Sequence, residues 1–271
     1  MKTRNGFTLI EILLVIAIVG ILGGAMTPLV IQSIRTSREN VTLEEMQNLH
    51  LAIVGDPDKG TFGYVGDMGR LPTSLDELVV QGAQPTFAET TNSNDIKWGW
   101  NGPYLQVNSG SVEYKQDAWG NDYDYGVIGT GQIRSFGPDG VNDNGGGDDI
   151  VFPPHPVNIF GNVVVTVWYK RDPQDWLRNP PDKAATEGDP SFQNLDVTLY
   201  FASNGSESSQ VDTSAPFYFT NVPQGFHSIK GVYTDLALSP GNINAIINFS
   251  SYAGTTTYVE FFLEGVLNVL P

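Results

Sequence analysis

Asp139, Asp143, Asp148 and Asp149 fall within eleven residues that hold no lysine or arginine. Carboxylates crowded in this way repel unless solvent or a cation lies between them. Gly137, Gly140, Gly145, Gly146 and Gly147 let the same stretch fold back tightly. Two readings are open on these residues alone: a solvated acidic turn, or a cation site. If a cation is held, an all-oxygen donor set on a flexible loop favours Ca²⁺ over Zn²⁺ or Mg²⁺. The spacing is not that of an EF-hand loop, because no glutamate closes a twelve-residue frame. The second chemical feature is Glu11, a lone carboxylate in the apolar run Phe7–Met26. Burying it in a bilayer core would cost ~2.5–3.5 kcal/mol unless it were paired.

The bulk composition limits the other possibilities. The 271 residues include 30 acidic and 14 basic side chains, for a formal charge of −16. That balance repels nucleic acid and excludes it as a partner. Without cysteine there are neither disulfides nor thiolate metal sites. His50, His155 and His227 stand apart, with no nucleophile motif, phosphate loop or zinc spacing around them, so no enzyme is predicted. Trp98, Trp100, Trp168 and Trp176 are read first as core packing and second as a sugar-binding surface.

Several elements must position these residues. About twenty residues from Phe7 form a helix of ~30 Å, the thickness of a bilayer core. Lys2 and Arg4 place the short leader in the cytoplasm and the rest of the chain outside. Gly6 precedes the apolar run, so a cut there removes the leader and keeps the helix, the reverse of secretory processing. Gly20 and Gly24 have GxxxG spacing, and Pro28 predicts a kink or local melting. The helix continues as an amphipathic stem to Val54, with Val41, Met46, Leu49 and Ile53 on its apolar face and Glu44 and Glu45 on its polar side. Gly55-Asp56-Pro57 ends it. Ser74-Leu75-Asp76-Glu77 has capping-box spacing and predicts a short helix. Trp119-Gly120-Asn121 reads as a turn into a strand with Tyr123 and Tyr125 on one face. After Phe152-Pro153-Pro154-His155-Pro156, apolar β-branched runs at 163–169, 195–201, 216–222, 226–233, 243–250 and 256–264 predict a β-sandwich. Residues 170–194 read as a long connection.

The order Gly6, Phe7, Thr8, Leu9, Ile10, Glu11 resembles the class III signal of type IV pilins and of the pseudopilins of type II secretion. The resemblance implies cleavage between Gly6 and Phe7 by a prepilin peptidase and N-methylation of Phe7. It also implies a Glu11 carboxylate that meets the Phe7 amine of a neighbouring subunit, and a proline at the depth of Pro28. An LP helix, "GPY", "DAWGN", paired tyrosines and "SFGPDG" extend the likeness to a major-pseudopilin head, so that it covers roughly residues 1–152. Residues 55–69 and 80–100 depart from the pattern. The family further implies a structural calcium site built on Asp139, Asp143, Asp148 and the carbonyl of Phe136. "FYFTNVPQGFHSIKGVYT" resembles a strand unit of transthyretin-like or carboxypeptidase-regulatory-like modules.

The fold class this predicts is α+β: a long N-terminal helix on a small antiparallel sheet, followed by an all-β sandwich. The divisions are a leader 1–6, helix 7–54, head 55–152, linker 153–156 and sandwich 157–271. The implied function is a filament subunit of a type II secretion pseudopilus. Its partners would be copies of itself, related pseudopilins and an inner-membrane assembly platform. It would wait as a single-pass inner-membrane protein before joining a periplasmic or cell-surface filament. A type IV pilin for adhesion, major or minor, is the alternative within the family. A membrane-anchored carbohydrate-binding module is the alternative outside it, and predicts an uncleaved N-terminus.

Overall fold

The computed structural model describes residues 8–88, 94–107, 112–125, 130–172, 175–179, 195–213, 216–234 and 242–263, without the side chains at 23, 25, 27, 168–179, 233, 234, 242–244 and 261–263. Gly6 and Phe7 lie outside them, as do the side chains of Trp168 and Trp176.

Helix α1 runs from Leu9 to Val54 with Pro28 inside it, so the helix does not melt at the proline in the single chain. The proline costs the ladder one N–H, and the helical hydrogen bonding continues on either side of it. Among the described residues no helix is long and apolar enough to cross a membrane. The fully described apolar part, Leu9–Leu22, measures about 21 Å at ~1.5 Å per residue. Its side chains stand clear of the rest of the chain; Leu9 is 80 % and Ile21 72 % exposed.

The distal half of α1 packs on the head through Thr42, Met46, Leu49 and Ile53, all buried. Thr42 holds the position predicted for Val41, which is exposed. Steps of four, three and four residues keep 42, 46, 49 and 53 on one stripe. The Thr42 hydroxyl also accepts from Ala118 N–H at 3.2 Å. Glu45 is not on the solvent side either, since it accepts from the Tyr123 hydroxyl at 2.9 Å. Gly55, at φ 83°, ends the helix.

Helix α2 (Gly63–Met68) buries Tyr64, Val65 and Met68 against this stripe. The segment after Ser74 is a single 3₁₀ turn, Leu75–Leu78, and Ser74 does not cap it. Thr73 takes that place, bonding the Glu77 carboxylate through both its hydroxyl and its N–H. Tyr64 and Arg70 converge on the same carboxylate and draw it away from the Ser74 frame. Tyr123 and Tyr125 do share a face against the head core, but their segment pairs only through isolated bridges at Asp122 and Asp124 rather than as a full strand. Strands β1 (Ile133–Ser135) and β2 (Ile150–Phe152) pair antiparallel below them.

Among the described residues the sandwich has eight strands: β3 (Phe160–Asp172), β4 (Asp175–Asn179), β5 (Leu195–Ser203), β6 (Ser206–Asp212), β7 (Phe217–Pro223), β8 (Gly225–Thr234), β9 (Asn242–Ser251) and β10 (Thr256–Leu263). One sheet runs β10-β3-β4, with β7 also on β3, and the other runs β6-β5-β8-β9. All pairings are antiparallel except β10 with β3, which is parallel over eight residues. β4 lies inside the stretch predicted as a connection. Alternate residues of β3, β5 and β7 fill the core: Val163, Val165, Val167, Val197, Leu199, Phe217 and Phe219.

The head and sandwich are docked closely. Ile96, from the head's divergent 80–100 stretch, is 1 % exposed and belongs to the sandwich core. Around it, Asn94 donates to Glu207 at 2.7 Å, and Ser228 and Asn248 bond Asn94 and Asp95. In the reverse direction, Val157 and Ile159 pack on the head core. Gln224 donates to the carbonyl of Val54 at 2.6 Å. Gly69, at φ 65°, approaches β5 so closely that a Cβ there would meet the Ala202 carbonyl oxygen at 1.9 Å.

Candidate functional site

The acidic loop is built on the turn that follows Asp117. Both Trp119 N–H and Asn121 N–H donate to Asp117 Oδ1 at 2.9 Å, and Ser135 donates to its other oxygen. The Asn121 carboxamide then donates to the Gly137 carbonyl at 2.8 Å, pinning the start of the loop. Gly137 has φ 66°, and a Cβ there would lie 2.4 Å from the Asp148 carbonyl oxygen. The two limbs therefore touch only because residue 137 has no side chain. Phe136 immediately precedes the 3₁₀ turn Gly137–Asp139.

Within this frame Asp139, Asp143 and Asp148 each offer a carboxylate oxygen, all within 4.8 Å of one another. Asp149, grouped with them in the sequence, has a different task. Its Oδ2 accepts from Asp143 N–H at 3.0 Å and from Gly145 N–H at 2.8 Å, which closes the loop on itself. Arg35 on α1 reaches Asp148 at 4.0 Å, and Arg134 donates to Asn142 of the loop at 3.1 Å. The three converging carboxylates outnumber the one arginine paired with them, and an oxygen-only site of net negative charge suits Ca²⁺.

At the other end of the chain, Glu11 caps its own helix. Its carboxylate accepts from Thr8 N–H at 2.8 Å and the Thr8 hydroxyl at 3.0 Å, while Glu11 N–H donates back to Thr8 Oγ1 at 3.4 Å. This is a reciprocal capping box. The signal is present in the sequence as Thr8-x-x-Glu11. Gly20 and Gly24 open onto empty space, with nothing within 4 Å of where a Cβ would stand, so that face is free for close helix packing.

The remaining sequence candidates are structural. Burial pushes the His50 imidazole down, and its ring meets Phe152 edge-on at 5.5 Å. His227 Nε2 lies 2.7 Å from Ser251 Oγ, but the two residues are 3 % and 0 % exposed, sealed from any substrate. Burial lowers the His227 imidazole to about 3. Trp98 packs on the sandwich core, and Trp100 donates to the Glu77 carbonyl at 2.7 Å beside Tyr104. Neither forms a sugar platform.

A long helix with an exposed apolar half, carrying a small head and a glycine-rich acidic loop, defines a pilin-like subunit. Comparison with known proteins narrows the class. Residues 1–27 match the family described as prokaryotic N-terminal methylation motif, and residues 58–152 match type II secretion system (T2SS), protein G. The chain is 31 % identical over 153 residues to the type II secretion system core protein G of Klebsiella pneumoniae, covering 55 % of this chain and 94 % of that one. It is 27 % identical over 143 residues to the protein of the same name from Vibrio cholerae, covering 52 % and 84 %. To that of Xanthomonas campestris it is 29 % identical over 140 residues, covering 51 % and 80 %. The chain belongs to the type II secretion protein G family of pseudopilins. It is a structural subunit of the pseudopilus and assembles with other pseudopilins; the family is not one of enzymes.

Proposed function

We propose that the chain is cut between Gly6 and Phe7 by a prepilin peptidase, is methylated on the Phe7 amine, and waits in the inner membrane, head outward, until a membrane platform feeds it into the filament. The observation that carries this is the exposed apolar half of α1, whose side chains are open to solvent among the described residues. So much apolar surface is stable only in lipid or among neighbouring helices. The open Gly20/Gly24 face supports the second environment. On transfer from lipid to filament, Glu11 exchanges its bonds to Thr8 for the Phe7 amine of the next subunit, and that charge pair sets the axial register. Asp139, Asp143 and Asp148, with the carbonyl of Phe136, hold a structural Ca²⁺ that draws the two limbs of the acidic loop together. Residues 157–271 decorate the outside of the filament.

Intact mass and N-terminal sequencing of the protein from its native membrane test the processing. A chain that starts at Phe7 and carries one added methyl group supports the reading. A chain that starts at Met1 refutes it and points to an anchored module.

A further inference from the structure

A cleft of about 440 Å³ opens where the head meets the sandwich. Its size lies in the range of small-molecule sites, and domain junctions are where such sites concentrate. Several separate parts of the chain meet there: residues 69–73 after α2, Tyr125, the approach to β3 at 157–160, the end of β5 with the turn into β6, and β7. Leu71, Pro72, Val157, Ile159 and Phe201 form apolar walls. Phe160 also lines the cleft and is 41 % exposed, an aromatic ring left accessible to a ligand. Tyr125 contributes a second ring, and its buried hydroxyl has no hydrogen-bond partner among the described residues.

The polar groups of the cleft other than Arg70 are neutral. Asn204 and Asn221 are exposed at its rim, one from each sheet, both in the left-handed region at φ 50° and 54°. Ser203 stands beside Asn204. Arg70 is the only charged residue among the lining side chains, and it is already engaged. Its Nη1 lies 2.9 Å from Glu77 and 2.9 Å from the Leu71 carbonyl oxygen, and its guanidinium stacks over Tyr64. A chain of formal charge −16 further disfavours an anionic ligand. Accessible aromatic surface, carboxamides that both donate and accept, and no free charge are together complementary to a ligand with one apolar face and a rim of hydroxyls.

We propose that this cleft binds a neutral saccharide of one or two pyranose rings, stacked on Phe160 and hydrogen-bonded by Asn204 and Asn221. The inference is independent of how the filament assembles, and it gives the added sandwich a recognition role that belongs to neither half alone. Cellobiose, maltose and N,N′-diacetylchitobiose are the probes, titrated against the full chain in an amine-oxide detergent that carries no sugar of its own. Saturation-transfer NMR on the ligand is the readout. At least one disaccharide should show saturable, competable transfer. The Asn204→Gly/Asn221→Gly pair keeps the left-handed backbone at both positions and removes both carboxamides, and should weaken binding about tenfold or more. Phe160→Ala removes the exposed ring and should do likewise; it decides the matter should the double variant melt early. The proposal is overturned by no saturable transfer from any of the three. It is equally overturned by binding that ignores both sets of substitutions, or by preference for a sugar acid or a peptide over the neutral sugars.

Discussion

Ile96→Ala should unfold the sandwich more than the head, although residue 96 lies more than sixty residues before the first sandwich strand. Ile96 is 1 % exposed among Val163, Leu199 and the other sandwich core residues. The substitution deletes three carbons at ~0.8 kcal/mol each, roughly 2.4 kcal/mol of transfer free energy. A cavity that cannot collapse adds ~24 cal/mol per Å³. The β-branched strands around it are stiff, so a total of about 3–4 kcal/mol is expected. For a unit of this size that lowers the melting midpoint by roughly 6–15 °C. Hydrogen exchange on the full chain is the assay, because it reports each strand separately. Protection should fall in β3, β5 and β8 and hold in the stem at Met46–Ile53. A loss confined to the head, or one below about 1 kcal/mol, would refute the idea that residues 94–97 are a structural part of the sandwich. The same geometry predicts that the fragment 156–271, lacking this plug, is poorly folded alone.

Burial holds the Asp67 carboxyl at about 6, against the opposing hydrogen bond from Tyr104. Because its folded value is raised, protonation as pH falls from ~6 to ~4 stabilises the fold, and above that window the buried charge costs on the order of 2 kcal/mol. Asp67→Asn should therefore raise the melting midpoint at pH 7.5 and leave it nearly unchanged at pH 4; equal shifts at both would refute the assignment. Glu11→Gln keeps a capping-box residue but removes the charge, so helix content in the free chain should persist while filament assembly is lost. Normal filaments from this variant, seen by electron microscopy, would show that the charge does not set the register. Chelation of divalent cations should lower the melting midpoint by several degrees. Asp139→Ala/Asp148→Ala should abolish that response, and Gly137→Ala should weaken calcium affinity by forcing the limbs apart; a chelator effect that survives the double variant would remove calcium from this loop.

The parts legible in the sequence were those encoded by strong local signals. The leader with Glu11, the glycine-rich aspartate loop and the β-branched runs of β3 and β5 each stand out without tertiary context. The parts that were not legible depend on partners distant in the chain. Ser206–Asp212 forms β6 with exposed polar side chains, because an edge strand needs backbone pairing with β5 more than an apolar face. Thr42 and Val41 differ by one position on the stem, and only the docking of Ala118 decides which of them is buried. Ile96 lies in a segment of no clear period, so nothing local announces that its side chain crosses into another core. Asp149 resembles its three neighbours in composition and parts from them only through where its amide donors fall.

The parallel pairing of β10 with β3 has a mechanical consequence. The N-terminal end of β3 joins the part of the chain anchored in the filament, and the C-terminal end of β10 leaves from the opposite end of the same eight-residue ladder. Tension applied between those two points slides the strands along one another instead of peeling them apart. The slanted, evenly spaced bonds of a parallel ladder then share the load together, where a hairpin would open one rung at a time. The sandwich is thus built to resist tension along that axis more than tension across it.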